Sequence, residues 1–255
     1  MRHTVLLYNP ISTSPGKQRL PMSLLAIASV IADDYDIEFI DGNLIDDPAQ
    51  HILERVHATG AKLLAVTTMP GPQLRQAVPV CDEIKKACPD LTIIWGGYFP
   101  SNHTDVCMKS DFVDYVIQGQ GEAPFRKFVD TFFGGGAMTD VPSLAWMNEG
   151  ELQINPRAPF VNLDKLPWYP YDKIDVRDYI GKSYLGERVI SHHTSWGCPF
   201  ACNFCAVVPL AKRRWLPESG QRVGEIMRHL HKMYNIDGVE FHDMDFFVNE
   251  DRSAD

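Results

Sequence analysis

The first 130 residues alternate between two hydrophobic patterns. Short runs rich in β-branched and aliphatic residues predict five β-strands. These runs are Thr4–Tyr8, Asp36–Ile40, Leu63–Thr67, Leu91–Trp95 and Asp114–Gln118. Amphipathic stretches between and after them predict five helices, at Leu20–Ala32, Asp46–Thr59, Pro72–Ala87, Asn102–Lys109 and Ala123–Phe132. Alternation of this kind is typical of βα units that build a parallel sheet.

The predicted domain, over residues 1–135, is therefore a flavodoxin-like (Rossmann-like) α/β fold with a doubly wound parallel sheet. Ligands of such sheets bind outside the carboxyl ends of the strands. Three loops at this edge are rich in glycine, proline and small residues, namely 67–72, 96–100 and 119–122. Any βα loop needs turn residues, but three such loops at one edge favour a binding site, because glycine lets a backbone approach a large ligand closely. The Gly119–Gln120–Gly121 stretch is not a dinucleotide fingerprint, since it follows the fifth strand and the third glycine is absent.

Residues 136–186 differ from the first domain in composition. They are rich in proline and aromatic residues and predict a linker with one small hairpin at Leu144–Asn155. A new βα pattern covers 187–255. It predicts a strand from Glu187 to about Ser195, a helix near Gly220–Tyr234 and a strand at Gly238–His242.

Three of the six cysteines, Cys198, Cys202 and Cys205, lie within eight residues of one another directly after a predicted strand. Clustered thiolates are typical ligands of zinc, copper(I) and iron–sulfur clusters. An ordinary four-iron cluster uses four cysteines, so three would leave one iron without a protein ligand. An open coordination position of this kind is what metal catalysis requires.

A structural zinc site is the alternative for these cysteines, with His192, His193 or His242 as the fourth ligand. Zinc ligands usually arrive as two separated pairs, and the sequence offers no second pair. The other three cysteines, at positions 81, 88 and 107, are too dispersed to share an ion and are predicted to pack in the core.

Charge narrows the classes of partner. The 255 residues contain 24 Lys and Arg against 33 Asp and Glu, a net charge of −9, which does not favour nucleic acid. A small-molecule, lipid or peptide substrate fits this charge better. The longest apolar run near the start, Leu24–Ala32, is too short to span a bilayer, and no signal peptide precedes the first strand, so we expect a cytoplasmic location.

The segment Gly197–Cys205, with the sequence GCPFACNFC, resembles the signature loop of radical S-adenosylmethionine enzymes. The N-terminal half is similar to the cobalamin-binding domain that precedes the barrel in cobalamin-dependent members of that family. The segments that carry this similarity are Pro21–Leu25, Trp95–Pro100, Gly119–Glu122 and Leu163–Pro167. The resemblance implies that residues 187–255 begin a partial TIM barrel.

The resemblance also implies three cofactors: a [4Fe–4S] cluster on the three clustered cysteines, S-adenosylmethionine and cobalamin. The motif Asp-x-His-x-x-Gly is absent, so cobalamin would be held without a histidine below the cobalt. Its implied contacts lie in the three loops described above: Thr67, Thr68, Met69, Gly96, Gly97, Tyr98, Gly119, Gly121 and Glu122.

Two residues are implied as contacts of S-adenosylmethionine. Phe204 would lie beside the adenine, chiefly through its backbone; the alternative is a side chain that fills the barrel core. Asp243 follows the second barrel strand, at the edge where barrel enzymes place functional groups. Its alternative role is that of a simple cap at the end of the strand.

The implied reaction is reductive cleavage of S-adenosylmethionine to a deoxyadenosyl radical, with cobalamin passing a methyl group to an unactivated carbon or phosphorus. Two other functions stay open: radical cyclisation or ring rearrangement, and a non-catalytic cobalamin-binding module with structural zinc. An electron donor such as flavodoxin or ferredoxin is the implied partner. Residues 187–255 hold about two βα units, whereas a full barrel takes about 250 residues, so we expect the N-terminal part of a longer protein.

Overall fold

Strands and helices alternate through the first half of the structure, a computed structural model that describes residues 2–255. In chain order the elements are β1 (Thr4–Asn9), α1 (Met22–Ser29), β2 (Asp36–Asp41), α2 (Pro48–Thr59), β3 (Leu63–Thr67), α3 (Pro72–Ala87), β4 (Thr92–Gly96), α4 (Tyr98–Asn102), α5 (Thr104–Cys107), β5 (Tyr115–Ile117) and α6 (Glu122–Gly134). All five predicted strands are present, with bounds that differ by one residue or less at most ends.

The helix predicted over Asn102–Lys109 is instead divided into α4 and α5. The break lies at His103, whose φ of −133° and ψ of 45° leave the helical region. Thr104 then begins α5, and its hydroxyl donates to the carbonyl oxygen of Pro100 over 2.7 Å. A single non-helical residue hardly changes the apolar spacing, so the hydrophobic pattern did not reveal the break.

The first five strands form a parallel sheet in the order β2-β1-β3-β4-β5. This is the strand order of flavodoxin-like domains, so the predicted fold class is confirmed. Strand order reverses between β1 and β3, where the following loops diverge and leave a crevice at the carboxyl edge.

The predicted hairpin is present as β6 (Leu144–Asn148) and β7 (Glu151–Ile154), and it extends the sheet to seven strands. β6 pairs antiparallel with β5, with Ile117 opposite Leu144. Its turn has positive φ at Glu149 and Gly150, which suits a two-residue hairpin. Part of the segment predicted as a linker thus belongs to the first sheet, and the domain bounds 1–135, 136–186 and 187–255 stay a prediction.

Each face of this sheet is covered by helices, so the central strands are buried on both sides. On one face Leu6, Tyr8 and Leu64 pack with α2 and α3; on the other, Val5 and Leu7 pack with α1 and α6. Burial on both faces explains why these strands are continuous apolar runs in the sequence. The cysteines at positions 81 and 107 are buried in the first of these cores, as predicted.

The second half contains a smaller sheet. The strands and helices of this half are β8 (Gly181–Ser183), β9 (Gly186–His192), β10 (Ser195–Gly197), α7 (Val207–Ala211), β11 (Trp215–Pro217), α8 (Gly220–Tyr234), β12 (Gly238–Phe241) and α9 (Glu250–Ala254). The smaller sheet consists of β8, β9 and β12. β9 and β12 pair in parallel with α8 between them, as the βα pattern predicts. No helix within residues 2–255 has the length and apolar character needed to cross a membrane.

The strand predicted from Glu187 to about Ser195 is shorter than expected and ends at His192. Ser195 and Gly197 instead pair antiparallel with Pro217 and Trp215, forming the ribbon β10–β11. The chain turns at Thr194, where the carbonyl oxygen accepts from the backbone N–H of Glu218 over 2.9 Å. An apolar run does not distinguish one strand from two that pair with different partners, which explains the error.

A third hydrophobic core joins the two halves. Leu20, Met22 and Leu25 pack there with the linker and with α8. The remaining buried members of this core are Tyr171, Val176, Tyr179, Ile190, Ile226, Leu230 and Ile236. Side chains from α1, the linker and the second sheet thus share one buried cluster, which fixes the second sheet against the first domain.

Glu218 lies at this junction and is 1% exposed. Its Oε1 accepts from Nε of Arg222 over 3.0 Å, while its Oε2 has no hydrogen-bond partner within residues 2–255. Burial raises the pKa of the Glu218 carboxyl to about 7, although the hydrogen bond and charge of Arg222 act in the opposite direction. The folded protein therefore holds a proton on this group that the unfolded chain releases above about pH 4.5.

We predict that Glu218 makes the folded state less stable as the pH rises from 4.5 to 7. Relative to Glu218→Gln, which keeps an acceptor for Arg222 but cannot ionise, the wild-type free energy of unfolding should fall by about 2–3 kcal/mol over this range. Urea unfolding at a series of pH values measures the difference. Glu225→Gln on α8 is the control and should leave the wild-type slope in place; identical slopes for wild type and Glu218→Gln would contradict the prediction.

Candidate functional site

A cavity of about 140 Å³ lies at the carboxyl edge of the first sheet, beneath α1 and α6. Most of its wall is apolar, with Leu24, Ile94 and Phe125 among the lining residues. Of the residues predicted to bind a cofactor, the structure brings these together in the wall: Thr67, Gly96, Gly97, Gly119, Gly121 and Glu122. An apolar cavity of about 150 Å³ holds a benzene ring in other proteins, so this one accommodates a small flat aromatic group.

Gly97 shapes the loop after β4. Its φ of +97° is strained for any residue with a side chain, and an added Cβ would lie 3.1 Å from both Oγ1 of Thr67 and the carbonyl oxygen of Thr68. The backbone N–H of Thr68 donates to the carbonyl oxygen of Gly96 over 3.0 Å, so the β3 and β4 loops are tied together. Absence of a Cβ at Gly97 is what permits this approach.

Other hydroxyl groups near this cavity differ in whether they have a hydrogen-bond partner. The hydroxyls of Ser23 and Thr67 are 3.0 Å apart and hydrogen-bond to each other. The hydroxyl of Thr68 is buried without a partner among the described residues, and such a group is expected to meet a ligand or water. Met69 does not line the cavity, and its side chain is 54% exposed.

The loop between β5 and α6 closes one side of the cavity. Gly119 has a φ of +82°, and an added Cβ would lie 2.7 Å from Nη1 of Arg157. A Cβ on Gly121 would lie 3.3 Å from Cγ2 of Ile27, so α6 packs tightly on α1. Burial raises the pKa of Glu122, which begins α6, while the backbone N–H groups of Gly121 and Glu122 lower it.

The cysteine loop, Gly197–Cys205, directly follows Trp196, which lines this cavity. Cys198 and Cys205 are half-buried and Cys202 is exposed, and all three thiols are free. The backbone N–H of Cys205 donates to the carbonyl oxygen of Cys202 over 3.0 Å, which makes a tight turn between them. Gly197, with a φ of +83°, starts the loop at a place where an added Cβ would collide with the carbonyl oxygen of Arg214.

Within residues 2–255, no three His, Cys, Asp or Glu side chains converge as the ligands of one metal ion would. Thiolates that bind different irons of a cluster do not need such close convergence. His192, a candidate fourth zinc ligand, is fully buried, and its Nε2 hydrogen-bonds the hydroxyl of Tyr171 at 2.7 Å. Burial, as the main cause, lowers the pKa of His192 to about 3. This histidine is neutral and already has a partner.

His193 and His242, the two other candidate zinc ligands, do not converge with the cysteines on one metal position within residues 2–255 either. The rings of His193 and His242 lie beside each other, with centroids 6.4 Å apart. Burial is the main cause that lowers the pKa of His193, with the charge of His242 acting in the same direction.

The two residues predicted to contact S-adenosylmethionine have different surroundings. Phe204 is 92% exposed and fills no core among the described residues. The carboxylate of Asp243 accepts from the backbone N–H of Thr194 at 3.0 and 3.1 Å, from the Thr194 hydroxyl at 3.0 Å, and from the hydroxyl of Ser195. Asp243 thus holds the turn that leads into β10, which is the capping role considered from the sequence.

The cavity and the cysteine loop are adjacent in the structure. Trp196, two residues before Cys198, lines the cavity of the first domain and packs against Phe160 with ring centroids 5.4 Å apart. Tyr98 lies on the facing loop; burial raises its pKa, and the nearby Cys205 contributes to that rise. Sequence reasoning missed Trp196, although its position next to Gly197 was a signal that could have identified it.

Comparisons with known proteins agree with this arrangement. Residues 10–129 match the family model described as the B12 binding domain. The chain is 27% identical over 237 residues to an uncharacterized methyltransferase, PH0819, of Pyrococcus horikoshii, an alignment that covers 92% of this chain and 51% of that protein. It is 23% identical over 254 residues to the anaerobic magnesium-protoporphyrin IX monomethyl ester cyclase of Synechocystis, covering 96% of this chain and 50% of the cyclase.

The fold also matches a solved structure. The radical S-adenosylmethionine methyltransferase TsrM from Kitasatospora setae, solved with cobalamin and a [4Fe–4S] cluster, superposes with a TM-score of 0.76 at 21% identity. That match covers 99% of this chain and 50% of TsrM. The chain spans about half the length of the curated relatives it matches.

These matches show what kind of protein the chain is similar to. The predicted resemblance is confirmed: residues 10–129 match the B12 binding domain, and the proteins that the chain resembles include a radical S-adenosylmethionine methyltransferase solved with cobalamin. The predicted combination of a flavodoxin-like domain with the start of a radical S-adenosylmethionine barrel is confirmed with it.

We predict that Gly97→Ala destabilises the fold, because its φ and the contacts with Thr67 and Thr68 leave no room for a Cβ. The expected loss is about 1–3 kcal/mol in the free energy of unfolding, measured by chemical denaturation. Gly96→Ala is the matched control, since a Cβ there meets open space and should change stability by less than about 0.5 kcal/mol. Equal effects at the two neighbouring glycines would refute this interpretation of the loop.

Proposed function

We propose that this chain is the cofactor-binding half of a cobalamin-dependent radical S-adenosylmethionine methyltransferase. The observation that carries the proposal is Trp196, which joins the cavity at the carboxyl edge of the first sheet to the strand that leads into the cysteine loop. Such adjacency is what a reaction shared by two cofactors requires, because reacting groups must be held close together.

The residues of the first domain fit cobalamin in three respects. The cavity suits the flat, mostly apolar end of the nucleotide tail, and glycine loops at its mouth leave room for a large ring system. Thr68, whose buried hydroxyl has no partner in the described part of the chain, lies next to Thr67 but outside the cavity wall. Met69 and Tyr98, on the same loops, extend this surface toward the cysteine loop.

The cysteine loop fits a [4Fe–4S] cluster through its donor set. Cys198, Cys202 and Cys205 supply three thiolates and leave one iron for S-adenosylmethionine. Phe204, exposed at the tip of the loop, lies beside the adenine of that ligand in this proposal. Asp243 acts on the same site by holding Thr194 and Ser195, so its role is to position the loop.

When bound, the cluster and S-adenosylmethionine together supply a carbon-centred radical, and cobalamin supplies a carrier for the methyl group. The protein's own contribution is placement and exclusion of water. Trp196, in the cavity wall, packs against Phe160 with tilted rings, and the amide of Asn102 donates to the carbonyl oxygen of Ala206 over 3.2 Å. These contacts hold the loop after β4 against the segment that follows the last cysteine.

We expect Cys198→Ala to lose most of its iron. Loss of an outer-shell partner alone typically weakens metal binding by about 10–100-fold, and loss of a ligand costs at least as much. The chain is reconstituted anaerobically with ferrous iron and sulfide, and its iron and visible absorption are measured. Cys88→Ala is the control, since Cys88 packs beside the core of the first domain. Stoichiometric zinc, with no iron bound by the wild type, would refute the cluster.

The reaction itself is tested with the whole natural protein, loaded with iron, sulfide and cobalamin and given S-adenosylmethionine and a reductant. An artificial electron donor replaces the flavodoxin or ferredoxin that we propose as the partner. Deoxyadenosine together with S-adenosylhomocysteine supports methyl transfer. Deoxyadenosine alone supports the ring-forming chemistry suggested by the relationship to the cyclase. The absence of both products would overturn the proposal.

A further inference from the structure

All three clustered cysteines lie on one segment, residues 198–214, whose two ends are joined by a short ribbon. The ribbon consists of β10 and β11 and has only three residue pairs, from Ser195 opposite Pro217 to Gly197 opposite Trp215. A two-stranded ribbon is marginally stable by itself. The position of the cysteine loop must therefore be fixed by contacts at the base of the ribbon, which is the end that lies away from the cysteines.

Arg252, on α9, closes the base of this ribbon. Its Nη2 donates to the carbonyl oxygen of Thr194 over 2.9 Å and to the Thr194 hydroxyl over 2.6 Å. Its Nε donates to the carbonyl oxygen of Glu218 over 3.0 Å. Thr194 directly precedes β10 and Glu218 directly follows β11, and the backbone N–H of Glu218 also donates to the Thr194 carbonyl oxygen. One guanidinium group thus joins the two strands at the base.

The same guanidinium group is held from several sides. It lies over the rings of Phe246 and Trp215, 5.0 and 5.9 Å from their centroids, and such faces attract a cation. Thr194 is fully buried, and its hydroxyl donates to the carboxylate of Asp243 over 3.0 Å. This hydroxyl therefore connects the charge of Arg252 to the charge of Asp243. Hydrogen bonds to charged groups are stronger than those between neutral groups, so the base of the ribbon is firmly fixed.

We propose that Arg252 is a positioning residue of the cysteine loop, which it holds, through the base of the ribbon, in the conformation that receives the iron–sulfur cluster. The inference rests on the proposed function, because it assumes that the three cysteines bind a cluster. Arg252 acts through the backbone of Thr194 and Glu218 and not on a thiolate directly. Loss of groups that orient metal ligands in this indirect way typically weakens metal binding by about 10–100-fold.

The first test uses the iron-free 255-residue chain and therefore needs no cofactor. Arg252→Met removes the three hydrogen bonds and keeps a long side chain. Amide hydrogen exchange, read by mass spectrometry, should become about tenfold faster or more in residues 195–205 and change by less than about twofold in β3 of the first sheet. Arg228→Met, at an exposed arginine on α8, is the control and should leave exchange in both segments at the wild-type rate.

A pair of variants at Thr194 tests the same contact, and it decides the question if Arg252→Met does not fold. Thr194→Val has nearly the same shape but lacks the hydroxyl that connects Arg252 to Asp243. It should speed exchange in residues 195–205 by about threefold or more. Thr194→Ser keeps the hydroxyl and should stay within about twofold of wild type.

The second test measures iron in the chain after anaerobic reconstitution with ferrous iron and sulfide. In competition with a chelator, Arg252→Met should hold its iron about tenfold more weakly than the wild type. Arg252→Lys should fall between the two, because an ammonium group can bond the carbonyl oxygens of Thr194 and Glu218 but lacks the planar fork of a guanidinium group.

Three outcomes would overturn the inference. Unchanged exchange in residues 195–205 of Arg252→Met and Thr194→Val would show that the base of the ribbon does not fix the loop. Exchange that rises equally in β3 would assign Arg252 a role in overall stability only, and wild-type iron affinity in Arg252→Met would separate the contact from the cluster. A wild-type chain that binds no iron would instead refute the proposed function, and the exchange rates of the iron-free chain would still decide whether Arg252 holds the loop.

Discussion

The arrangement of the site depends on the third hydrophobic core, in which α1, the linker and the second sheet bury apolar side chains together. Without it, the cavity and the cysteine loop would be features of two separately moving units. Leu25 and Tyr179 show how closely the parts are joined: Leu25 is fully buried, and the hydroxyl of Tyr179 donates to Asp41 over 2.8 Å at the end of β2. Burial of this apolar surface, at about 25 cal/mol per Å², is the force that holds the cysteine loop beside the first sheet.

Glycines at the carboxyl edge have a second, steric function. Gly97 and Gly197 both adopt positive φ, and in each case a side chain would strike neighbouring backbone. Gly97 follows β4 and lines the cavity, whereas Gly197 lies between Trp196, which also lines the cavity, and Cys198.

Several ionisable groups are buried near this junction, and their charge states follow from desolvation. Burial favours the neutral form of Glu218 and of Glu122 by raising their pKa values, and it favours neutral His192 by lowering its pKa. Buried neutral groups pack at low cost only when hydrogen-bonded. His192 has Tyr171, Glu218 has Arg222, and the carboxyl of Glu122 has the backbone N–H groups of Gly121 and Glu122.

The amino-acid sequence by itself determined the order of strands and helices, the flavodoxin-like class and the three clustered cysteines. Strand burial on both faces leaves continuous apolar runs, and ligand spacing in a short loop is a local property, so both are visible without coordinates. Only the tertiary structure decided that the 144–154 hairpin joins the first sheet, that Ser195 and Gly197 pair with the segment after α7, and that Trp196 lines the cavity. A hydrophobic pattern reports which face of an element is buried but not which partner covers it, because that partner is chosen by packing between residues far apart in the chain.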